Sequence, residues 1–192
     1  MKKLLFLALF LFIFTVSISH QKAEGRLLNL NLEKMTQIAG DIIAGKCVNV
    51  KPGFHPEYEN VKVTFIEIET FDVIKGDGGH NFKFMQFGHG SEIAHLTKYK
   101  KNEKLLLFLY PKSRYGLTSP VGGAQGKLSI IPDLLTGKPT NVEVFNYKKF
   151  LKNVNVSSLR HSENGATLID YKILRNIIAD SLNKSKKNGD NK

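Results

Sequence analysis

Apolar and polar positions alternate in short runs along the middle of the chain, and this pattern predicts a β-rich domain. Glycine, proline and polar residues separate the runs and predict turns between them. Strands are predicted at residues 42–50, 61–74, 82–87, 103–110, 115–121, 127–131 and 141–145, the last of them as a short edge strand.

Two of these runs predict more than a plain strand. In residues 61–74 the apolar positions shift phase after Phe65 and shift back at Phe71. Because side chains alternate with a period of two, such a shift indicates a bulge or a bend. Residues 105–109 are apolar without interruption, which is typical of a central strand that is covered on both faces.

Helical spacing occurs only near the two ends of the predicted strand region. Apolar residues predict a short helix at 32–39, which Gly40 can end. Thr167 and Asp170 have the spacing of a capping box before an amphipathic helix. Its apolar face consists of Leu174, Ile177, Ile178 and Leu182. A helical extension is therefore expected at 147–183, followed by a disordered basic tail at 184–192.

The order of these elements predicts a mainly β domain at residues 32–146 rather than an alternating α/β fold. Short strands with glycine corners and one long bent strand favour a small closed or half-closed barrel. The short N-terminal helix and the C-terminal amphipathic helix would then cover its apolar surface.

The first nineteen residues have the layout of a secretory signal peptide. Lys2 and Lys3 precede a run of 13 residues, 4–16, that is apolar except for Thr15, and Ser17 and Ser19 favour cleavage before His20. A membrane-spanning helix needs about 20 apolar residues, so a signal is predicted rather than an anchor. The protein is expected to be exported, periplasmic or secreted, with residues 20–31 as a polar leader into one domain.

Charge and cysteine content narrow the expected partners. The formal net charge is +11, which outside the cytoplasm favours an envelope polyanion or a loose membrane-surface association over nucleic acid. Cys47 is the one cysteine, so no internal disulfide forms. It lies in a predicted strand and is expected to be a small buried apolar residue.

Several segments together resemble a family of uncharacterised exported bacterial proteins over roughly residues 36–145. They are residues 42–48, 63–65, 73–76 and 103–109, the Gly-Leu-Thr-Ser-Pro-Val-Gly run at 116–122, and Gln125-Gly126-Lys127 with Leu128. The strand order is also similar to the netrin-like, oligonucleotide/oligosaccharide-binding (OB) barrel of tissue inhibitors of metalloproteinases. These resemblances imply an OB-like or netrin-like barrel.

The resemblance to the inhibitors implies no inhibitory residue in this chain. Those proteins use a free N-terminal cysteine to chelate the protease zinc, and disulfides hold the inhibitory edge. Cleavage after Ser19 would place His20 at the mature terminus, and Cys47 lies far downstream.

Four residues are candidates for ligand or metal contacts. Gln125 and Lys127 belong to the specific part of the resemblance, either as ligand contacts or as residues that tie down a loop. His89 and His95 are weak metal candidates, because the histidine spacings in this stretch match no compact zinc pattern. No metal and no cofactor is predicted.

No catalytic constellation is predicted. Ser119, Asp133 and His161 could suggest a hydrolytic triad, but Pro120 follows the serine and the Gly-x-Ser-x-Gly motif is missing. A group of aromatic residues could form either a stacking platform or part of the core: Phe82, Phe84, Phe87 and Tyr99.

The sequence therefore predicts an exported, monomeric, non-enzymatic binding module whose partner is an exported protein or an envelope polyanion. The alternative is an inhibitor or accessory factor of an exported protease. An enzyme of a type that the sequence does not reveal is the third hypothesis.

Overall fold

The computed structural model describes residues 30–89, 96–152, 154, 156, 159–162 and 165–189, with side chains to residue 185. Its strands form one antiparallel sheet in the order β3-β2-β1-β4-β5-β6-β8-β7, so the prediction of a mainly β fold is confirmed. The elements are α1 (Leu32–Ile38), β1 (Asp41–Phe54), β2 (Lys62–Lys75), β3 (Asn81–Phe87), β4 (Lys104–Leu109), β5 (Lys127–Pro132), β6 (Pro139–Val144), α2 (Tyr147–Phe150), β7 (Leu159–His161), β8 (Thr167–Asp170) and α3 (Tyr171–Gly189).

The sheet is not closed, so a barrel is not confirmed. The predicted strand at 115–121 is wrong, because this segment makes only two isolated bridges, Met85 with Leu117 and Leu109 with Pro120. Pro120 has no N–H to extend the pairing, and Gly122 has a positive φ of 65°. A 3₁₀ turn, Gly123–Gly126, then leads into β5.

Bulges interrupt the pairing of the long strands β1 and β2. Ala44 pairs with Asp72 and Gly45 with Thr70, so Phe71 is an extra residue in β2 and the bulge predicted at this position is confirmed. The phase shift predicted after Phe65 has no bulge in β2, because Phe65 and Ile66 pair in regular register with Lys51 and Val50. A Cβ atom on Gly45 would lie 2.4 Å from Ile68 Cγ2, so only glycine allows this close approach.

Two apolar cores lie on the two faces of the sheet around β4. Leu106 and Phe108 belong to the core that α1 and α3 cover. Leu105, Leu107 and Leu109 belong to the other core, which also contains Cys47, Phe82 and Phe84. The prediction that this strand is central and covered on both faces is therefore confirmed.

The half of the sheet beyond β5 differs from the prediction. β6 is not an edge strand, because β5 and β8 pair with its two sides. The strands β7 and β8 were not predicted, since they contain only 3 and 4 residues and such lengths carry no periodic signal.

The C-terminal helix begins later and ends later than the sequence predicts. Thr167 is in β8, and Asp170 caps the helix by accepting the N–H groups of Lys172 at 2.9 Å and Ile173 at 3.1 Å. A capping box with Thr167 as the cap is therefore wrong. The helix continues to Gly189, so the tail predicted to be disordered from 184 is helical to that residue.

Polar contacts fix α3 against β2. The Asp72 carboxylate accepts hydrogen bonds from the Tyr171 hydroxyl at 2.8 Å and from Arg175 Nε at 2.6 Å. The N-terminal helix α1 is confirmed, with the Asn31 side chain capping the Lys34 N–H at 3.0 Å. No helix within the described part of the chain is long and apolar enough to cross a membrane.

Candidate binding groove

A groove of about 510 Å³ lies along β1, β2 and β3. Asn49, Glu67 and Lys83 are paired across the three strands, and paired residues point to the same face. Phe65 and Met85 form the next pair along that face. We call this feature the groove, and its lining consists of Asn49, Phe65, Ile66, Glu67, Lys83, Phe84, Met85, Lys112 and Gly116.

A tight hairpin provides one wall of the groove. The Tyr110 N–H donates to the Ser119 carbonyl at 3.0 Å, and the Ser113 N–H donates to the Leu117 carbonyl at 2.8 Å. Gly116 turns the chain with a φ of 70°, which favours glycine, and an added Cβ there would lie 3.4 Å from Met85 Cε. The hairpin tip at Gly116 therefore lies directly against the Met85 side chain of β3.

The loop between β1 and β2 holds this hairpin tip in place. His55 is 4% exposed, and its Nε2 lies 2.8 Å from the Tyr115 carbonyl while Glu57 N–H donates to Nδ1 at 3.1 Å. The two ring nitrogens of His55 thus join the backbone of the β1–β2 loop to that of the hairpin tip. The rings of Tyr58 and Tyr115 also meet edge to face, 5.3 Å apart.

The groove combines an apolar lining with charges of both signs. The Lys83 ammonium lies 3.1 Å from the Glu67 carboxylate, and Lys83 is 68% exposed. Lys112 also lines the groove, and its ammonium lies 5.6 Å from the centre of the Phe82 ring. A ligand there would meet apolar surface with a carboxylate and two ammonium groups around it.

Gln125 and Lys127 lie away from the groove, and both line a second cavity of about 360 Å³. Gln125 Oε1 accepts the Leu30 N–H at 3.2 Å, and the Lys127 ammonium lies 2.8 Å from Glu103 Oε1. That ammonium also donates to the Lys98 carbonyl at 2.6 Å. Both side chains tie segments of the chain together, and a ligand contact by either one stays a prediction.

The histidine candidates are not brought together in the described residues. His89 Nε2 lies 2.9 Å from the Gly53 carbonyl, and its ring packs beside Phe54. His80 is largely exposed, with Nε2 3.9 Å from Glu69 Oε1. His95 lies outside the described residues, which contain no group of three metal-ligating side chains.

The three residues whose types could suggest a triad lie on separate elements, and no triad is predicted from the sequence. Ser119 is in the hairpin beside Tyr110, Asp133 is in the β5–β6 turn, and His161 is in β7. The Asp133 carboxylate accepts hydrogen bonds from Leu135 and Thr136 of its own turn. These three side chains offer no support for hydrolytic chemistry.

The aromatic group predicted as a platform or core is mostly core. Phe82, Phe84 and Tyr99 are at most 9% exposed, whereas Phe87 is 55% exposed. Phe65 lines the groove and is not among the candidates that the sequence predicts. Its alternation with Val63 fits any half-buried strand, so no local signal distinguished it.

Cys47 and Tyr99 are buried groups that carry no accessible chemistry. Burial, followed by the nearby Glu103 carboxylate, raises the pKa of the Cys47 thiol to about 11. Burial also raises the pKa of Tyr99, whose hydroxyl has no hydrogen-bond partner among the described residues. A thiol with this pKa stays protonated near neutral pH and is a poor nucleophile.

Comparison with protein-family models, curated proteins and solved structures found no match to this chain. The resemblances to the exported bacterial family and to the netrin-like barrel therefore rest on the sequence segments alone. The groove is accordingly interpreted from its own geometry.

Proposed function

We propose that the protein is an exported, non-enzymatic binding module, and that the groove holds an extended segment of another exported protein. The observation that carries this proposal is the combination of the half-buried Phe65 and Met85 with the opposed charges of Glu67 and Lys83. A peptide offers apolar side chains and both signs of charge. A polyanion would match the two ammonium groups but would meet the Glu67 carboxylate as a like charge, so it fits this lining less well than a peptide does.

The rigidity of the walls supports binding at this place. His55 connects the β1–β2 loop to the hairpin tip through Tyr115, and the hairpin is itself closed by backbone hydrogen bonds. Because these loops are already ordered, a ligand would lose less binding free energy to ordering them. A groove formed by a sheet face and a fixed hairpin also has the concave form of most ligand sites.

We also propose that β1–β4 and the segment 117–121 form a half-closed, OB-like barrel. Thr118 N–H donates to the Met85 carbonyl at 2.9 Å, and Val121 N–H donates to the Phe108 carbonyl at 2.7 Å. The segment thus touches β3 at one end and β4 at the other. OB barrels bind ligands on the face of their second and third strands, which is where the groove lies.

Position-specific photo-crosslinking in cells tests the proposed function. A photo-reactive amino acid at Lys112, on the rim of the groove, should give a covalent adduct with an exported protein. The matched position is Lys172, an exposed lysine on α3. We expect an adduct from position 112 and none from position 172.

Charge variants show whether the groove itself makes the contact. Lys83→Glu should reduce the adduct from position 112 at least about fivefold, a loss of about 1 kcal/mol of binding. The double variant Glu67→Lys, Lys83→Glu keeps an ion pair but exchanges the two charges, so it should also lose the adduct while remaining folded.

Three outcomes would contradict the proposal in different ways. Failure to form a protein adduct, with the chain retained on purified wall polymer, would favour the polyanion hypothesis. An adduct with an exported protease that the chain inhibits would favour the inhibitor hypothesis. Turnover of an ester, peptide or glycoside substrate would show an enzyme.

A further inference from the structure

The turn between β5 and β6 presents two neighbouring leucines entirely to solvent. Leu134 is 99% exposed and Leu135 is 96% exposed, more than any other large apolar residue of the described chain. Single exposed apolar residues are common on protein surfaces, whereas adjacent, fully exposed leucines at a projecting tip indicate a contact surface. We call Leu134 and Leu135 the leucine tip.

The backbone beneath the leucine tip is firmly ordered. Asp133 Oδ1 accepts the N–H groups of Leu135 at 3.1 Å and Thr136 at 2.8 Å, and the Thr136 hydroxyl at 2.9 Å. The Asp133 N–H donates to the Lys138 carbonyl at 2.8 Å and closes the turn. The two leucines are therefore held outward by the fold, and contact with a partner need not order the turn.

Lys104 lies at the base of the leucine tip, and three exposed lysines precede it in the chain. The Lys104 ammonium donates to the Gly137 carbonyl, which joins the turn to the segment before β4. Lys98, Lys100 and Lys101 in that segment are exposed. Within residues 98–104 and 133–138 the acidic residues are Asp133, which is bound within its own turn, and Glu103, which pairs with Lys127.

We propose that the leucine tip inserts into the surface of an anionic lipid bilayer. Leu134 and Leu135 would enter the boundary between headgroups and acyl chains, while Lys104 and the exposed lysines of residues 98–101 would face the lipid phosphates. Two leucines give a small insertion, so electrostatic attraction must add to it, and the lysines provide that attraction. This inference is independent of the proposed function, because the leucine tip shares no residue with the groove.

Tryptophan fluorescence tests this inference in the full chain, which has no natural tryptophan. Leu135→Trp places the reporter at the leucine tip, and Phe145→Trp places a control at a side chain that is 67% exposed after β6. With phosphatidylglycerol vesicles that contain brominated lipid, we expect a blue shift and quenching for Leu135→Trp only. Adding Lys100→Gln and Lys101→Gln should weaken both changes, and phosphatidylcholine vesicles should give little of either.

The Phe145→Trp control distinguishes insertion of the leucine tip from attachment of the protein to vesicles through another part of the chain. If the N-terminal apolar run alone held the protein to vesicles, the two reporters would respond equally, and the inference would be overturned. An unchanged spectrum of Leu135→Trp on phosphatidylglycerol vesicles would overturn it too. So would concentration-dependent self-association that Leu134→Ser, Leu135→Ser abolishes, because the tip would then bind a second copy of the chain.

Discussion

At the scale of single residues, the specific part of the sequence resemblance is explained by packing. Gly126 lies against backbone on two sides: an added Cβ would be 2.5 Å from the Val121 carbonyl oxygen and 2.9 Å from that of Phe108. Gln125 joins the same turn to Leu30. The sequence suggested that Gln125 ties down a loop, but only the tertiary contacts show which atoms Gln125 and Gly126 meet.

Gly126→Ala should therefore be strongly destabilising, by about 3 kcal/mol or more, because backbone atoms cannot move aside for the new methyl group. The matched variant is Gly79→Ala, where no atom lies within 4 Å of an added Cβ, and its effect should stay within about 0.5 kcal/mol. Urea unfolding of the two proteins measures the difference. Equal stabilities would contradict the packing role of Gly126.

Asp133 provides a second prediction at this scale, in the pH dependence of its turn. Hydrogen bonds from the Thr136 N–H and hydroxyl, and then from the Leu135 N–H, lower the carboxyl pKa below its ordinary value of 3.8. A lowered folded-state pKa means that the turn is stabilised above the unfolded pKa and loses this stabilisation as the pH falls through the folded one. The turn should thus lose this stabilisation only in acid, at a pH below the ordinary carboxyl pKa of 3.8.

An NMR titration of the Leu135 and Thr136 amides measures the Asp133 pKa. We expect a midpoint below 3.8 and no such transition in Asp133→Asn. A midpoint at or above that value would show that the carboxylate does not hold the turn.

At the scale of elements, strong periodic or uniformly apolar runs were predictable and short ones were not. The uninterrupted apolar run predicts β4, and the helical spacing of apolar residues predicts α1. At β8 the sequence predicts the start of a helix, because Thr167 and Asp170 have the spacing of a capping box, yet Thr167 pairs with Val144 of β6. Pairing between distant segments overrides a local capping signal, and local sequence does not contain that pairing.

The attachment of α3 to β2 depends on one carboxylate. Asp72→Ala would leave the Tyr171 hydroxyl without its partner, although this tyrosine is 5% exposed, and would also remove the Arg175 ion pair. Since Arg175 is 41% exposed and solvent screens it, most of the expected loss of about 1–3 kcal/mol comes from the unpaired hydroxyl. Chemical denaturation measures this loss.

Asp180→Ala is the control for Asp72→Ala. Asp180 is an exposed carboxylate on α3, the helix that Asp72 of β2 contacts. Its substitution should change the free energy of unfolding by no more than about 0.5 kcal/mol. If the two variants were equally stable, the contacts of Asp72 would not hold the helix.

At the scale of the whole molecule, the groove is a product of topology. Asn49, Phe65, Lys83 and Lys112 come from separate parts of the chain, and the sheet order and the hairpin bring them together. The sequence predicted the β-rich class and the bent long strand. It could not identify the groove, because residues that line a surface across three strands share no local pattern or spacing.

The proposed function requires that a segment of another exported protein binds in the groove. Amide hydrogen exchange, measured with and without the segment identified by crosslinking, tests this most directly. Binding should slow exchange in residues 83–85 and 112–116 and leave β7 and β8 unchanged. Unchanged exchange in the groove, with protection only around the cavity beside Gln125, would contradict the claim.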